Sequence, residues 1–360
     1  MKHIVYVGQY SGGETCGVRT LAVDGDTGEI EPIAFVDGLQ STLWLALSPD
    51  GSRLYSSRER GVVAFDVKGE GLVAVADYEI GHTHPCHFSL SADGKRLAFA
   101  EYAEAVCGVI DLSTGRVTDR TLVGGGPNLP RQDKAHAHCA VETPDGRHLC
   151  VVDLGSDAIW LFDPITFAPH GKLGTDPVGN KGTDPADKGT GPSNMGTGPG
   201  GEGPRHLIFH QNGRFAYVIF ELANIVAAYR YVNGVFIHLQ TLPLLPSDFT
   251  GHSQAAALKL SADGRRLFAT NRGHDSVVTF DVDPDTGMMS FRACSPLGGS
   301  WPRDFTMLPG ERIALACLER AGEVRSFRYD AATGAFSPLP YAFRTHRPVV
   351  AVLNALAHGA

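Results

Sequence analysis

Two histidines, His136 and His138, stand two apart in the stretch AHAHCAVETPDGR (residues 135–147), at the head of a short alternating apolar run. That spacing places both on one face of a strand. Imidazoles so placed suit proton transfer near neutral pH, metal binding, or packing alone. A second group, GHTHPCHFS, offers His82, His84 and His87. Neither group has a metal spacing such as H-E-x-x-H, so no metal and no cofactor is expected. Charged candidates lie far away in sequence: Arg205 in GPRH, Glu221, Arg272 in NRG, Arg303, Glu59 and Glu319. Arginines present planar, permanently charged forks that fit carboxylate or phosphate. A glutamate among them stays ionised, yet can still orient or deprotonate water. No G-x-S-x-G elbow occurs, which disfavours an acyl-enzyme.

Only a repeating architecture could gather such scattered residues. The turn that follows the paired histidines recurs, in LSPDGSRLYSS, LSADGKRLAFA, ETPDGRHLCVV, FHQNGRFAYVI and KLSADGRRLFA, with a degenerate copy in TMLPGERIALA. Asp-Gly or Asn-Gly between alternating apolar runs is the strongest short-range hairpin signal. The aligned turn positions are Gly51, Gly94, Gly146, Gly213, Gly264 and Glu311, separated by 43, 52, 67, 51 and 47 residues. Periods near 40–50 with about four strands each are the signature of propeller blades. The opening HIVYVGQYSGGETCGVRTLAVD lacks its own preceding hairpin. HRPVVAVL, 346–353, can supply the missing inner strand, so that the two termini close a seventh blade and remove an open edge. The expected fold is therefore all-β: a seven-bladed β-propeller of four-stranded antiparallel blades, closed by the termini. It forms one domain over 1–360, with a Gly-rich surface insertion at about residues 171–203 whose role as a lid stays open.

The register makes the polar residues converge. If each hairpin sits at one end of the ring, residues eight before and eight after the aligned turn meet at the other end. Eight before are Leu43, Cys86, His138, Arg205, Ala256 and Arg303. Eight after are Glu59, Tyr102, Leu154, Glu221, Arg272 and Glu319. Ten before come His84 and His136. Small or apolar residues would be ordinary at strand ends; arginines, glutamates and histidines at one rim make a polar pocket instead. His138, Glu221, Arg205 and Arg272 are the expected catalytic set, with His136, Arg303, Glu59, Glu319 and His84 binding or supporting the substrate.

With 43% hydrophobic and 19% charged residues, the chain has material for a sizeable core. Its formal charge of -8 argues against nucleic acid as a partner. The N-terminus has no signal-peptide pattern and no run long enough to span a membrane. Seven scattered cysteines without CxxC suggest reduced, buried thiols and a cytoplasmic location.

The segments KAHAHCAVETPDGRHLCVVDLGSDAIWLF, GPRHLIFHQNGRFAYVIFELANIVAAYRY and LSADGRRLFATNRGHDSVVTFDVD resemble the seven-bladed propeller lactonases related to bacterial 6-phosphogluconolactonase and fungal carboxymuconate lactonizing enzyme. That resemblance implies a metal-independent site at His138, Arg205, Glu221 and Arg272, acting on a small anionic lactone. Two places depart from the family pattern: Ala135 replaces a proline before HAH, and Ala257 and Leu258 stand where an acidic residue is common. Phosphorylated and unphosphorylated sugar lactones are thus equal candidates. The expected activity is hydrolysis of an acidic sugar lactone; the alternatives are a muconolactone-forming cycloisomerase, and a non-enzymatic scaffold.

Overall fold

The alternating apolar runs become strands buried on both faces. In the fifth blade's second strand (Phe215–Phe220), Ala216, Val218 and Phe220 pack toward the fourth blade. Phe215, Tyr217 and Ile219 pack toward the sixth. That is the period-two alternation of a strand sandwiched between neighbouring sheets. The structure, a computed structural model, describes residues 1–12, 16–174 and 200–358. All its regular elements are strands, arranged in seven four-stranded antiparallel sheets. Seven hydrophobic clusters lie between them, one for each pair of neighbouring blades, so the core is itself a closed ring. Among the described residues no helix is long and apolar enough to cross a membrane.

Closure follows the termini. The C-terminal strand (Pro348–His358) pairs antiparallel with Lys2–Gln9 as the inner strand of the first blade. Val349 and Val350 pack toward the second blade, and Ala351 toward the seventh. One blade built from both chain ends leaves Lys2–Gln9 paired on both sides, with Pro348–His358 and Gly17–Asp24.

The recurring hairpins adopt the expected geometry. Gly213 has φ 69° and donates its N–H to His210. In the degenerate copy Glu311 takes the same left-handed conformation, φ 49°, and donates to Leu308. A second recurring turn, D-x-x-T, joins third and fourth strands: the Oδ1 atoms of Asp24, Asp111, Asp163 and Asp283 accept backbone N–H groups two and three residues on. The fourth blade's outer strand runs Pro169–Gly174, so residues 171–174 belong to the blade and not to the insertion, because they pair with Ala158–Phe162. Residues 175–199 of the insertion lie outside the described residues.

Candidate functional site

A bulge in the inner strand does what strand register alone cannot. In the third to seventh blades the ladder between inner and second strand slips near the end away from the hairpin, between Pro85 and His87, Ala137 and Cys139, Pro204 and His206, Ala255 and Leu258, and Pro302 and Asp304. The unpaired residues are Cys86, His138, Arg205, Ala256 with Ala257, and Arg303. A bulge re-aims the side chain of its extra residue, and here the bulges coincide with the positions eight before each turn.

These ends enclose a cup of about 330 Å³ to which every blade contributes, through Tyr10, Leu43, Cys86, His138, Glu221, Arg272 and Arg303. Its volume is at the small end of ligand pockets. Glu221 is its electrostatic centre, 2% exposed. Arg272 Nη2 lies 2.7 Å from Glu221 Oε2, and Arg131 Nη2 lies 2.6 Å from Oε1. Arg205 Nε is 3.0 Å from Oε2 but off the line of a hydrogen bond, so this contact is charge against charge. Burial works to raise the Glu221 carboxyl, yet Arg272, Arg205 and Arg131 outweigh it and hold the pKa well below the usual range. A carboxylate so held is a poor proton acceptor.

Backbone contacts fix this cluster. The Glu221 N–H donates to Gly203 O at 2.7 Å, tying the turn of Glu221 to the residues that lead into Arg205. Gly203 has φ 63°, and a Cβ there would lie 2.6 Å from Leu222 Cγ, so only glycine allows the approach. Arg205 donates to Ala256 O, and Arg272 to Ala255 O and Gln254 O. Burial and the charges of Arg272 and Arg303 lower the Arg205 pKa to about 9, which leaves it ionised at neutral pH.

His138 is 5% exposed and lines the cup. Its Nδ1 is enclosed without a hydrogen-bond partner, and its ring stands edge-on to Tyr102 and His206 at 5.6 and 5.3 Å. Burial and Arg205 push its pKa well below the ordinary value, so it is neutral at physiological pH.

The other sequence candidates separate. His84 and Arg303 line the cup. His136 is a support: it stacks on Tyr102 at 4.3 Å and spends its two ring nitrogens on Tyr102 O and Asp133 Oδ1. Glu319 stands behind the wall, bound to Arg347 at 2.6 Å and 3.9 Å from Arg303. Arg205 also stands behind the wall rather than on it. Glu59 does not reach the cup and is exposed. The turn that holds it spans only residues 59–60, against 221–224 for the turn of Glu221, so the inward position is missing. His82 pairs with Glu104 and Asp119 outside the cup. Among the described residues no group of three His, Cys, Asp or Glu is placed to hold a metal ion.

Arg131 and Tyr102 were not among the sequence candidates for the site. Tyr102 occupies a position eight after a turn, and its register was therefore a usable signal. Arg131 comes from the connection between the third and fourth blades, where no repeat register applies.

The family model for the lactonase seven-bladed β-propeller matches residues 4–353. The chain is similar to 6-phosphogluconolactonase of Bacillus subtilis, with 29% identity and 97% of each chain covered. It is 29% identical to 6-phosphogluconolactonase of Formosa agariphila, over 90% of this chain and 91% of that one. The solved structure of a periplasmic gluconolactonase from Pseudomonas aeruginosa matches with TM-score 0.85 and 27% identity, covering 98% of this chain and 99% of that chain.

Proposed function

The chain belongs to the lactonase family of seven-bladed β-propellers, and from that premise we propose that it hydrolyses the internal ester of an acidic sugar lactone. The observation that carries this reading is a neutral, buried His138 on the wall of the same small cup as Glu221 and its arginines. Relatives named for 6-phosphogluconolactone and gluconolactone support the sugar class.

In the proposed reaction the enclosed Nδ1 of His138 leaves Nε2 as the nitrogen available to the cup. Nε2 takes a proton from water as the water oxygen bonds to the lactone carbonyl carbon. Arg272 and Arg303 face the developing oxyanion and stabilise it. The tetrahedral intermediate collapses with cleavage of the bond from that carbon to the ring oxygen, which takes the proton back from His138. The product is the open hydroxy acid. Glu221 positions the arginines instead of acting as the base, because the neighbouring arginine charges hold its pKa well below the usual range. A bound anion partly offsets the arginine field and raises the His138 pKa toward neutrality, where it is the more effective base.

The free, mostly buried cysteines support a cytoplasmic location for this reaction. The test is a pH-indicator assay of the purified protein against 6-phosphoglucono-, glucono- and glucaro-lactones and muconolactone, each corrected for spontaneous opening. Run in ¹⁸O-water, hydrolysis places one solvent oxygen in the product acid, whereas a cycloisomerase incorporates none. Loss of the sugar-lactone rate in His138→Asn is expected. Opening no faster than the spontaneous rate for every lactone would reject the proposal.

A further inference from the structure

Arg131 differs from the other arginines around Glu221 in how it is held. Arg205 and Arg272 have side chains 3% and 4% exposed, and both are tied to strand-end carbonyls. The Arg131 side chain is 33% exposed and lines the cup. Its polar contacts are to two other side chains, Tyr102 Oη at 3.2 Å and Glu221 Oε1 at 2.6 Å. Either can be exchanged for a ligand oxygen without breaking a strand.

The backbone beneath it, by contrast, is fixed. Gln132 is 1% exposed, donates to Leu154 O and accepts from the Asn128 N–H. Its backbone N–H donates to Asn128 O and its carbonyl accepts from Gly126. Asp133 is bound by His136, and Lys134 donates to Ala103 O. The loop therefore presents a long, charged arm on an immobile base. Glu221 keeps Arg205 and Arg272 when that arm leaves, so the departure is tolerated there in a way that loss of either strand-bound arginine is not.

We propose that Arg131 is a side-chain clamp that parks on Glu221 in the empty protein and swings onto an anionic group of the substrate, making the site selective for lactones with a charge remote from the scissile ester. This rests on the lactonase reading. The planar fork takes two oxygens of a phosphate or carboxylate in parallel, which a lysine cannot reproduce. A neutral lactone of the same ring has nothing to exchange for the Glu221 contact and gains no such bond.

The test compares wild type, Arg131→Ala and Arg131→Lys on 6-phosphoglucono-δ-lactone, a glucarolactone and neutral glucono-δ-lactone. It is paired with calorimetric titration of 6-phosphogluconate, glucarate and gluconate. The expected result is a fall of roughly tenfold or more in the anionic-to-neutral ratio of kcat/KM for Arg131→Ala, carried mainly by KM, with a parallel fall in the Kd ratio. Arg131→Lys should recover only part of it. The phosphate and carboxylate arms show which anion the clamp serves. A ratio unchanged within about twofold in both assays overturns the clamp, even if lactones are opened. If wild type opens no lactone yet the Kd ratio still depends on Arg131, the clamp stands and the lactonase reading falls. Melting curves for both variants check that they are folded, and Arg131→Lys carries the comparison if Arg131→Ala is not.

Discussion

Replacing Glu221 by glutamine tests whether this carboxylate is the centre of the cup. The change keeps size and shape, so no cavity contributes. It leaves three cations at 2.6–3.0 Å around a neutral amide, two of them almost fully buried. The amide nitrogen, itself a donor, must also face one of them. A charge pair near a protein surface is worth about 4 kcal/mol in gross Coulomb energy at 4 Å, most of it offset by desolvation. Removing one partner of a buried pair costs about 3–5 kcal/mol, because the remaining charge is uncompensated. With roughly 2.1 cal/mol/K of unfolding entropy per residue over 360 residues, that loss lowers Tm by about 4–7 °C. The pH dependence has a definite sign. Glu221 titrates well below its ordinary value of 4.5 in the folded protein, so its contribution is complete above about pH 4.5 and disappears as pH falls through the folded value. The gap between wild type and Glu221→Gln should be constant from neutral pH down to about pH 5 and narrow in stronger acid. Differential scanning calorimetry across that range measures it. Inorganic phosphate should recover part of the loss by binding the arginines that line the cup, Arg131, Arg272 and Arg303. A variant that melts within about 1 °C of wild type at pH 7 and gains nothing from phosphate refutes the argument.

His138→Asn should lower kcat by about 10²–10⁴ with little change in KM, read in the lactone assay. Because burial and Arg205 depress the His138 pKa, wild-type kcat/KM should be level from pH 8 to 6.5 and decline only further into acid, as the base is protonated; the asparagine variant should lose that acidic limb. Deleting residues 348–358 removes buried Val349, Val350 and Ala351 and bares the edge of Lys2–Gln9, a loss of about 4 kcal/mol or more. Calorimetry and size-exclusion chromatography should show a lower Tm and self-association. Iodoacetamide on the native protein should modify Cys294 first, since the other six thiols are buried and the Cys86 and Cys139 pKa values are pushed up to about 12. Peptide mass mapping decides, and early labelling at Cys86 would contradict this order.

The sequence alone determined the blade count and its closure. Asp-Gly turns are local chemistry, and a hairpin repeated at a near-constant interval leaves few ways to bury two-sided strands other than a ring. The same register brought His138, Arg205, Glu221, Arg272 and Arg303 to one end, because counting along a strand measures height. Height does not give direction. The bulges at His138, Arg205 and Arg303 are irregularities of pairing that depend on the second strand as much as the first, and they put His138 and Arg303 on the wall of the cup and Arg205 behind it. A turn two residues shorter sent Glu59 outward although its count matched that of Glu221. Arg131 lay beyond any register, since a connection between blades has no period, and only packing of its loop against Leu154 and Ala103 brings it over the cup. The contrast in protonation between Glu221 and His138 was also a tertiary decision. Both are ordinary titratable residues in the chain; three arginines converging on one of them, and an enclosed ring nitrogen on the other, set their protonation by distance and burial.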